Sequence, residues 1–424
     1  MEFKSSNPIE GLNILLCVSG SIAAVKTPIL LSNLIKKKAN VRCLLSESAS
    51  KLVSPLSLST LSRSKCYLDQ DQWDRSQSKP LHIALSEWAD VIAISPLSAS
   101  TLAKYVHGIA DNLLVSTLIA SEVPIIAAPA MNTSMWENEA VKRNWNTLSE
   151  NKKFIKLNPN YGLLACDRTG EGKMASPEVI ELAIQSAVIN KNENNQPKND
   201  LINQNFLITT GSTIEEIDLV RQISNKSSGY MGILMAQAAR LRGANVNLIY
   251  SSIKANENLL EGLEVYKVNK SSDLESKVIE LSNESDFICM VAAISDIRIK
   301  SNYSKKLEKK SLFKFFSENI ELTPDILKNL SANKRTSQLI MGFTALTGDD
   351  EEIMRLAIKK MNDKSCDLIF ANPIDRPHQG FGESLNGGFL IGRENFCKKF
   401  DVDNKFTLAN KLIDEMLGIK NKNL

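Results

Sequence analysis

Two apolar runs, each released into a turn of small residues, constrain the fold more than any other feature of the chain. Leu12-Asn13-Ile14-Leu15-Leu16-Cys17-Val18 is nearly continuous in apolar side chains, as a strand buried on both faces of a parallel sheet requires. Ser19-Gly20-Ser21 follows, and then a helical pattern from Ile22 to Lys37. The device returns at Asn205–Thr210, which passes into Thr210-Gly211-Ser212-Thr213. A strand, a small-residue turn and a helix let backbone approach an anion at a helix N-terminus. Many α/β chains begin this way without a nucleotide, so the turns by themselves fix no ligand.

The pattern continues in both halves. Val41–Leu45 ends at Ser46, Asp90–Pro96 is followed by Ser98-Ala99-Ser100-Thr101, and Val123–Ala128 ends in Pro129-Ala130-Met131-Asn132. In the second half a helix is predicted from Ser227 to Arg242. Strands are predicted at Asn245–Tyr250, Asp286–Ala293, Gln338–Phe343, Asp367–Asn372 and Gly388–Gly392. Strand ends that each release Ser, Thr or Asn form a crevice in an open parallel sheet. At 424 residues the chain exceeds one ordinary core. Residues 188–204, rich in Asn and charge with almost nothing to bury, read as a linker. The expected fold is α/β, with two doubly wound Rossmann-like domains over residues 1–187 and 205–424.

Composition removes several classes. Hydrophobic residues at 43% and charged residues at 23% are those of a globular chain. A net charge of +3 with both signs interleaved gives no argument for nucleic acid and leaves small anionic substrates open. No apolar run reaches the ~18–20 residues of a membrane span, and Met1-Glu2-Phe3-Lys4 does not begin a signal peptide. The seven cysteines are scattered, without a Cys-x-x-Cys pair, which argues against a disulfide framework or a zinc site and fits a reducing cytoplasm. His82, His107 and His378 are the few candidates for imidazole chemistry.

Two stretches depart from the strand–helix pattern. Residues 160–174 place Cys166 between a short apolar run and a loop holding Gly170 and Gly172. On such a loop a thiol can reach a substrate and give up a proton; a cysteine buried at a strand end is the other reading. Residues 296–315 carry Arg298, Lys300, Lys305, Lys306, Lys309, Lys310 and Lys314 with few apolar residues. That is either a solvated basic loop or a flexible arm that closes on a triphosphate. Lys359, Lys360 and Lys364 on a predicted helix face the same site or solvent.

An ordered set of motifs resembles the bifunctional phosphopantothenoylcysteine decarboxylase/phosphopantothenate–cysteine ligase family of coenzyme A biosynthesis. In the first half it comprises Ser19-Gly20-Ser21-Ile22-Ala23-Ala24-Val25-Lys26, His82-Ile83-x-Leu85 and Gly108-Ile109-Ala110-Asp111-Asn112. Ala128-Pro129-Ala130-Met131-Asn132-x-x-Met135-Trp136 and Gly162-x-Leu164-Ala165-Cys166 complete that half. In the second it comprises Asp218-x-Val220-Arg221-x-Ile223-Ser224-Asn225-x-Ser227-Ser228-Gly229-x-Met231-Gly232, then Pro324-Asp325-Ile326-Leu327, Gly342-Phe343 and Ala371-Asn372.

The resemblance implies a flavodoxin-like flavoprotein domain followed by a nucleotide-binding ligase domain. It implies FMN on Ser19, Gly20, Ser21, Ser46, Ser98, Ala99 and Met131. His82 is then the base-like histidine, Asn132 the holder of the substrate carboxylate and Cys166 the donor of the last proton. For the second domain it implies CTP with Mg²⁺, whose ligands it leaves unknown. Met290, Val291, Ala292, Asp296, Lys306, Pro324, Asp325, Ile326, Leu327, Phe343, Lys360 and Lys364 match the nucleotide-site positions. Asn225 matches the residue acting on an acyl-cytidylate, with Arg221 shortly before it. The implied substrates are 4′-phosphopantothenate, L-cysteine and CTP, and the implied assembly is a homo-dodecamer, with neither nucleic acid nor membrane as partner. Asp167 and Lys173 stand where the flap usually has Gly and Arg, Ser100 where a flavin turn has Asn, and Glu308 within a usual lysine run. Thr347 lies in a segment that lacks the usual acid, and Ser251-Ser252-Ile253 lacks the usual Gly-Pro.

The competing readings are a chain with one decayed half, a non-catalytic flavin-binding scaffold, and an NAD(P)-dependent reductase. The intact Cys166, His82 and Asn225 speak against the first two. Neither turn carries a Gly-x-Gly-x-x-Gly fingerprint for the third.

Overall fold

The computed structural model describes residues 7–76, 78–300, 305–380 and 382–422. The first four residues and residues 301–304 of the basic stretch therefore lie outside the described residues. The chain divides into two compact units, meeting at Asn199 and Asp200.

The first unit is built on six parallel strands, Asn13–Val18 (β1), Asn40–Leu45 (β2), Cys66–Tyr67 (β3), Val91–Leu97 (β4), Ile125–Pro129 (β5) and Phe154–Lys156 (β6). β4 and β5 are buried along their whole length, which is why their sequences are apolar without alternation. The order is β3-β2-β1-β4-β5-β6. This is a doubly wound order with its reversal between β1 and β4, where the chain, having stepped outward twice, crosses back. The helical pattern after β1 is broken in two. Pro28 sits in the first turn of the helix Thr27–Lys36, and Ile22–Lys26 before it winds as a 3₁₀ turn. A hairpin of Asn160–Leu163 (β7) and Thr169–Lys173 (β8) stands apart from the sheet.

The second unit carries Asn205–Thr210 (β9), the hairpin Ile214–Glu216 (β10) and Gln222–Ser224 (β11), Asn245–Tyr250 (β12), Glu264–Lys267 (β13) and Phe287–Met290 (β14). Then come Ile297–Ile299 (β15) and Ile320–Leu322 (β16), which pair together, Leu339–Leu346 (β17), Leu368–Pro373 (β18), Leu385–Gly392 (β19) and Cys397–Asn404 (β20). The main sheet has the order β13-β12-β9-β14-β17-β18-β19-β20. It is parallel through β18, and the last two strands are antiparallel. Its order reverses between β9 and β14. No helix among the described residues is long and apolar enough to cross a membrane.

Two expectations change here. Residues 188–204 are not a bare linker. Val188 and Ile189 finish the helix Pro177–Ile189, and 190–198 folds back through a Lys191–Pro197 bridge and a Lys198 to Asn190 backbone bond. Leu201 is fully buried in the second unit, where the Asp200 carboxylate accepts from the buried Arg242 at 2.7 and 2.9 Å. Polar composition concealed this because some of its polar groups bond specific partners, Asn192 Oδ1 accepting from Asn194 N and Gln196 N and Asp200 from Arg242. The basic stretch is likewise not apolar-poor. Leu307 and Phe315 are buried with Ile217 in a small core flanked by Ile223, Ile299, Leu312 and Phe316, and Leu312–Asn319 is helical.

Candidate functional sites

A cavity of ≈ 550 Å³ opens at the strand reversal of the first unit, where ligands of open α/β sheets sit. Its walls come from the turn after β1 (Gly20, Ser21), the turn after β4 (Ser98, Ala99), the segment after β5 (Met131, Asn132) and the hairpin (Cys166, Lys173). Ser19 lies behind the wall, fully buried. Its Oγ donates to Pro96 O at 2.8 Å and accepts from Ser98 N at 2.7 Å, joining the ends of β1 and β4. Ser21 and Ser98 cap the turns that follow them by accepting from Ala23 N and Thr101 N. Gly20 has no room for a side chain: a Cβ there would stand 2.5 Å from that of Ser48. Ser46 caps the short helix Glu47–Ser50 and does not belong to the cavity lining.

Asn132 is the hinge between wall and hairpin. Its Oδ1 accepts from Ser134 N at 2.9 Å, capping the turn Thr133–Trp136, which aims Nδ2 at Cys166 Sγ, 3.1 Å away. The hairpin is laid on this segment by two glycines. A Cβ on Gly172, at φ +141°, would stand 2.2 Å from Met131 O, and one on Gly170 2.4 Å from Thr133 Oγ1. Met131 N donates to Gly172 O at 3.1 Å and Trp136 Nε1 to Glu171 at 3.0 Å. Cys166 is exposed at the hairpin tip. Asp167 beside it takes the left-handed backbone, φ +58°, which Asp tolerates better than most residues; the departure from Gly is accommodated locally. Lys173 lines the cavity. His82 does not: it sits on the helix Leu81–Trp88, partly exposed.

The second unit has a narrower cavity of ≈ 120 Å³ at its own strand reversal. Val291, Ala292 and Phe343 are the members of the expected nucleotide set that line it. Thr210, the Ser227–Gly232 segment, Asn372, Asn386, Gly380, Gly382 and Lys405 complete most of the wall. Met290, Ile326 and Leu327 are buried in the core. Leu327 packs over Gly342, where a Cβ would stand 2.5 Å from its Cδ2; these residues support the wall rather than form it, and Pro324 leads into their helix.

A charged cluster forms around the Asp350–Lys364 helix. Lys360 Nζ donates to Thr344 Oγ1 at 2.8 Å. Burial, aided by Lys364, lowers its pKa, and Asp296 opposes the shift. Lys364 lies 3.4 Å from Asp325, whose Oδ1 also caps the Ile326–Ala332 helix. Lys359 faces solvent.

The third group is the arm. Arg221 NH1 donates to Asp218 at 3.0 Å and to Leu307 O at 3.3 Å, while Leu307 N donates to Asp218 at 3.1 Å. Burial pushes the Asp218 carboxyl up, but the backbone N–H groups of Val220, Leu307 and Arg221 and the Arg221 charge outweigh it and hold it below the usual range. The clip presents Lys306 to solvent. Asn225 Nδ2 donates to Ile294 O at 3.0 Å from an exposed loop.

Sequence reasoning missed Lys405, Asn386, Gly380 and Gly382. Asn386-Gly387-Gly388 lies within β19, where the glycines mark a register shift against β20. Lys405 carries no sequence signal, since its burial depends on chain far from it.

Comparison with known proteins follows the two-unit division. The family described as Flavoprotein matches residues 2–189, and that described as DNA/pantothenate metabolism flavoprotein C-terminal domain matches residues 201–419. The coenzyme A biosynthesis bifunctional protein CoaBC of Bacillus subtilis (strain 168) is 34% identical, across 96% of this chain and 97% of its own length. That of Escherichia coli (strain K12) is 32% identical across 96% and 97%. Among solved structures, a PPC decarboxylase mutant complexed with pantothenoylaminoethenethiol is 36% identical over 42% of this chain and 97% of its own, with a TM-score of 0.39. The C-terminal domain of a coenzyme A biosynthesis bifunctional protein is 27% identical over 52% and 100%, with a TM-score of 0.43. With both halves matched in order and relatives above 30% identity over nearly their full length, the chain belongs to the family of bifunctional coenzyme A biosynthesis proteins.

Proposed function

We propose that the chain converts (R)-4′-phosphopantothenate to 4′-phosphopantetheine in two steps. The second unit joins L-cysteine to 4′-phosphopantothenate at the expense of CTP, through an acyl-cytidylate, releasing pyrophosphate and CMP. The first unit then decarboxylates the product with FMN. The observation that carries this reading is the Asn132–Cys166 contact at the wall of a flavin-sized cavity, in a chain related to bifunctional proteins along its length.

The first cavity fits FMN on its own features. Its volume lies within the usual ligand range of roughly 300–1,000 Å³. Gly20 and Gly172 let the β1 turn and the hairpin pack directly on Ser48 and Met131 at its wall, and Ser21 and Ser98 stand at turn starts suited to a phosphate. FMN supplies the two-electron chemistry that labilises the substrate carboxylate and returns the electrons to the product. The chain's residues do the rest. Asn132 holds the carboxylate; its amide is fixed by the cap it makes. Cys166, on the hairpin, delivers the last proton, and Lys173 adds positive charge to the wall. His82 acts on the substrate thiol before carbon dioxide leaves. Because His82 does not line the cavity of its own copy, a second copy supplies it. Ile22, Val25 and Met135 at the mouth are about half exposed, an apolar rim suited to that neighbour. A homo-oligomer follows, with a dodecamer as the expected form and the cytoplasm as its compartment.

In the second unit Val291, Ala292 and Phe343 receive the nucleotide, and Lys306, Lys360 and Lys364 neutralise the triphosphate. Mg²⁺ needs one or two carboxylates beside the phosphates. Asp296 is exposed next to Lys360 and suits that role, although no three His, Cys, Asp or Glu side chains gather among the described residues. Asn225 serves the cysteine-addition step by donating to the acyl oxygen as charge grows there; Arg221 holds the arm in register.

The test supplies purified chain with CTP, Mg²⁺, L-cysteine and 4′-phosphopantothenate. Pyrophosphate, carbon dioxide and 4′-phosphopantetheine are expected in equal amounts from a yellow protein. A colourless protein releasing neither pyrophosphate nor carbon dioxide sinks the proposal.

A further inference from the structure

The hairpin that carries Cys166 pairs with no strand of the main sheet of its unit. A lone hairpin is marginal in water, so its place is set by what it touches. The turn Thr133–Trp136 meets it at both ends. At the start, Asn132 Nδ2 donates to Cys166 Sγ at 3.1 Å; at the close, Trp136 Nε1 donates to Glu171 Oε2 at 3.0 Å. The turn is closed by Met135 N and Trp136 N, which both donate to Asn132 O, at 3.0 and 2.9 Å. Its two ends therefore move as one piece. Met131 N donates to Gly172 O and holds the end of β8, but a hairpin held there alone can still swing about that bond. A side-chain contact beside the pivot fixes the swing, and Glu171 supplies it.

Trp136 is a firm point to hold. It is 3% exposed, and its ring meets that of Trp145 edge-on, with centroids 5.5 Å apart at 69°. Trp145 is held in turn by its own Nε1, which donates to Asn158 at 3.1 Å, and by Lys156, whose Nζ lies 4.5 Å from the ring centre. An indole N–H can only donate, and a buried donor left without an acceptor is unfavourable. The Glu171 carboxylate accepts it. Lys142, on the helix Glu139–Leu148, completes the group: its Nζ lies 4.4 Å from the Trp136 ring centre and 3.9 Å from Glu171 Oε2. One ammonium thus faces both the ring and the carboxylate. The side chains of Lys142 and Glu171 are 41% and 54% exposed, where an ion pair adds little to global stability. The contact can set the hairpin without holding the fold together.

We propose that Glu171 is a positioning residue for the decarboxylase step. Through Trp136 Nε1, with Lys142 as its counter-ion, it fixes the hairpin so that Cys166 Sγ stays on the Asn132 amide. The inference rests on the decarboxylase reading above and adds to it a residue that touches neither substrate nor cofactor. No bond forms or breaks at the carboxylate. Its effect falls on the last proton delivery, which Cys166 performs, and not on substrate capture or on the loss of carbon dioxide.

The experiment uses the full chain loaded with FMN and supplied directly with phosphopantothenoylcysteine, so that the second unit takes no part. Glu171→Ala removes the acceptor, Glu171→Gln keeps an acceptor without the charge, and Lys142→Met removes the counter-ion. Should Glu171→Ala not fold, Glu171→Thr, which is too short to reach the indole, takes its place. Steady-state formation of 4′-phosphopantetheine, the stopped-flow flavin spectrum and thermal unfolding are measured for each. Glu171→Ala is expected to lower kcat about 10-fold with KM within about twofold of the parent. Its FMN content and unfolding temperature should stay parental, and reduced flavin should persist after carbon dioxide has left. Glu171→Gln should restore most of the rate, and Lys142→Met should lose roughly 2- to 3-fold in the same direction. A parental rate and flavin trace in Glu171→Ala overturn the proposal. So does an equal slowing of flavin reduction and product formation with a lowered unfolding temperature, which makes Glu171 merely structural. A loss that Glu171→Gln does not restore overturns it as well, because the indole N–H is then not what Glu171 must hold. A parent chain that binds FMN and leaves phosphopantothenoylcysteine unreacted sinks the decarboxylase reading itself, a separate outcome.

Discussion

The two cavities sit at equivalent places, each beside a strand reversal of a parallel sheet, yet they are assembled differently. In the first unit, five of the seven residues expected to hold the cofactor line one space of ≈ 550 Å³, with Asn132 and Cys166 in contact on its wall. In the second, three of the thirteen expected binding residues line a space of ≈ 120 Å³, and the charged members lie in the Lys360 cluster and on the arm. The first is a preformed pocket whose ligand needs shape. The second is a set of charges spread around a narrow slot, as suits a ligand that brings much of its own charge and whose transfer chemistry depends on positioning and neutralisation.

The largest expected effect tests the preformed side. Cys166→Ser should retain FMN and release carbon dioxide, but its yield of 4′-phosphopantetheine should fall about 10²- to 10⁴-fold, the usual range for losing a positioned proton donor. A stopped-flow flavin spectrum should show reduced flavin persisting. His82→Asn should stop earlier, leaving the flavin yellow. Normal product from Cys166→Ser would take the proton-donor role away from it.

A comparable loss should follow from moving the hairpin without touching any reacting group. Gly172→Val places a Cβ 2.2 Å from Met131 O at φ +141°, a backbone region valine avoids. The hairpin must lift, separating Cys166 from Asn132. FMN absorbance should remain, since the β1 and β4 turns are intact, while decarboxylation falls about 10²-fold by misplacement. A variant that decarboxylates at the parental rate would show that the hairpin need not lie on the 131–133 segment.

Asn225 divides the second unit's steps. Asn225→Asp should leave pyrophosphate release largely intact and let acyl-cytidylate accumulate, because a carboxylate cannot donate to the acyl oxygen. Removing one such donor costs roughly 2.7–4 kcal/mol of the affected step. Single-turnover assays with labelled CTP, following pyrophosphate and product separately, decide this; equal loss of both places Asn225 in the activation step.

The arm can also be probed by acid. Asp218 has a depressed folded-state pKa, so its contribution is complete above the unfolded carboxylate value and is lost as pH falls through the folded one. Exchange of the Leu307 amide should therefore be insensitive to this group from about pH 5 to 8 and accelerate only below about pH 4. Acceleration already near neutrality would mean that Asp218 does not hold the segment.

How much of this could be read in the sequence depended on how local the signal was. β1 and β9 announced themselves because burial on both faces leaves no alternation, and Ser21, Ser98 and Asn132 because these caps follow shortly after Val18, Leu97 and Pro129, the ends of their strands. The β7–β8 hairpin was invisible: Thr169–Lys173 has no apolar side chain, the alternating Tyr161 and Leu163 of its partner are exposed, and the pair is placed by glycine contacts to a segment about forty residues earlier. Leu307 and Phe315 were hidden among lysines because their partner, Ile217, lies far away in the chain. Lys405 looked like any surface lysine, yet it is buried with its amine on Glu383 O.

The smallest expected effect separates the arm from its surroundings. Lys306 is exposed, but its neighbour Leu307 is buried and clipped to Asp218 and Arg221. The amine is thus carried by an anchored backbone rather than by free chain, and less entropy is lost when it meets a phosphate. Lys306→Gln removes one charge-assisted contact, worth about 1.5–3 kcal/mol, and should raise the CTP requirement about 10- to 100-fold while slowing pyrophosphate release. Lys359→Gln removes an equal charge from the solvent side of the Asp350–Lys364 helix. If the effect is contact, Lys359→Gln should leave CTP use within about 0.5 kcal/mol of the parent. Steady-state pyrophosphate release at varied CTP, at low and at high salt, reads both variants. Equal losses that vanish together in salt would show general attraction by the unit's positive face, and the arm would no longer be set apart from the rest of the surface.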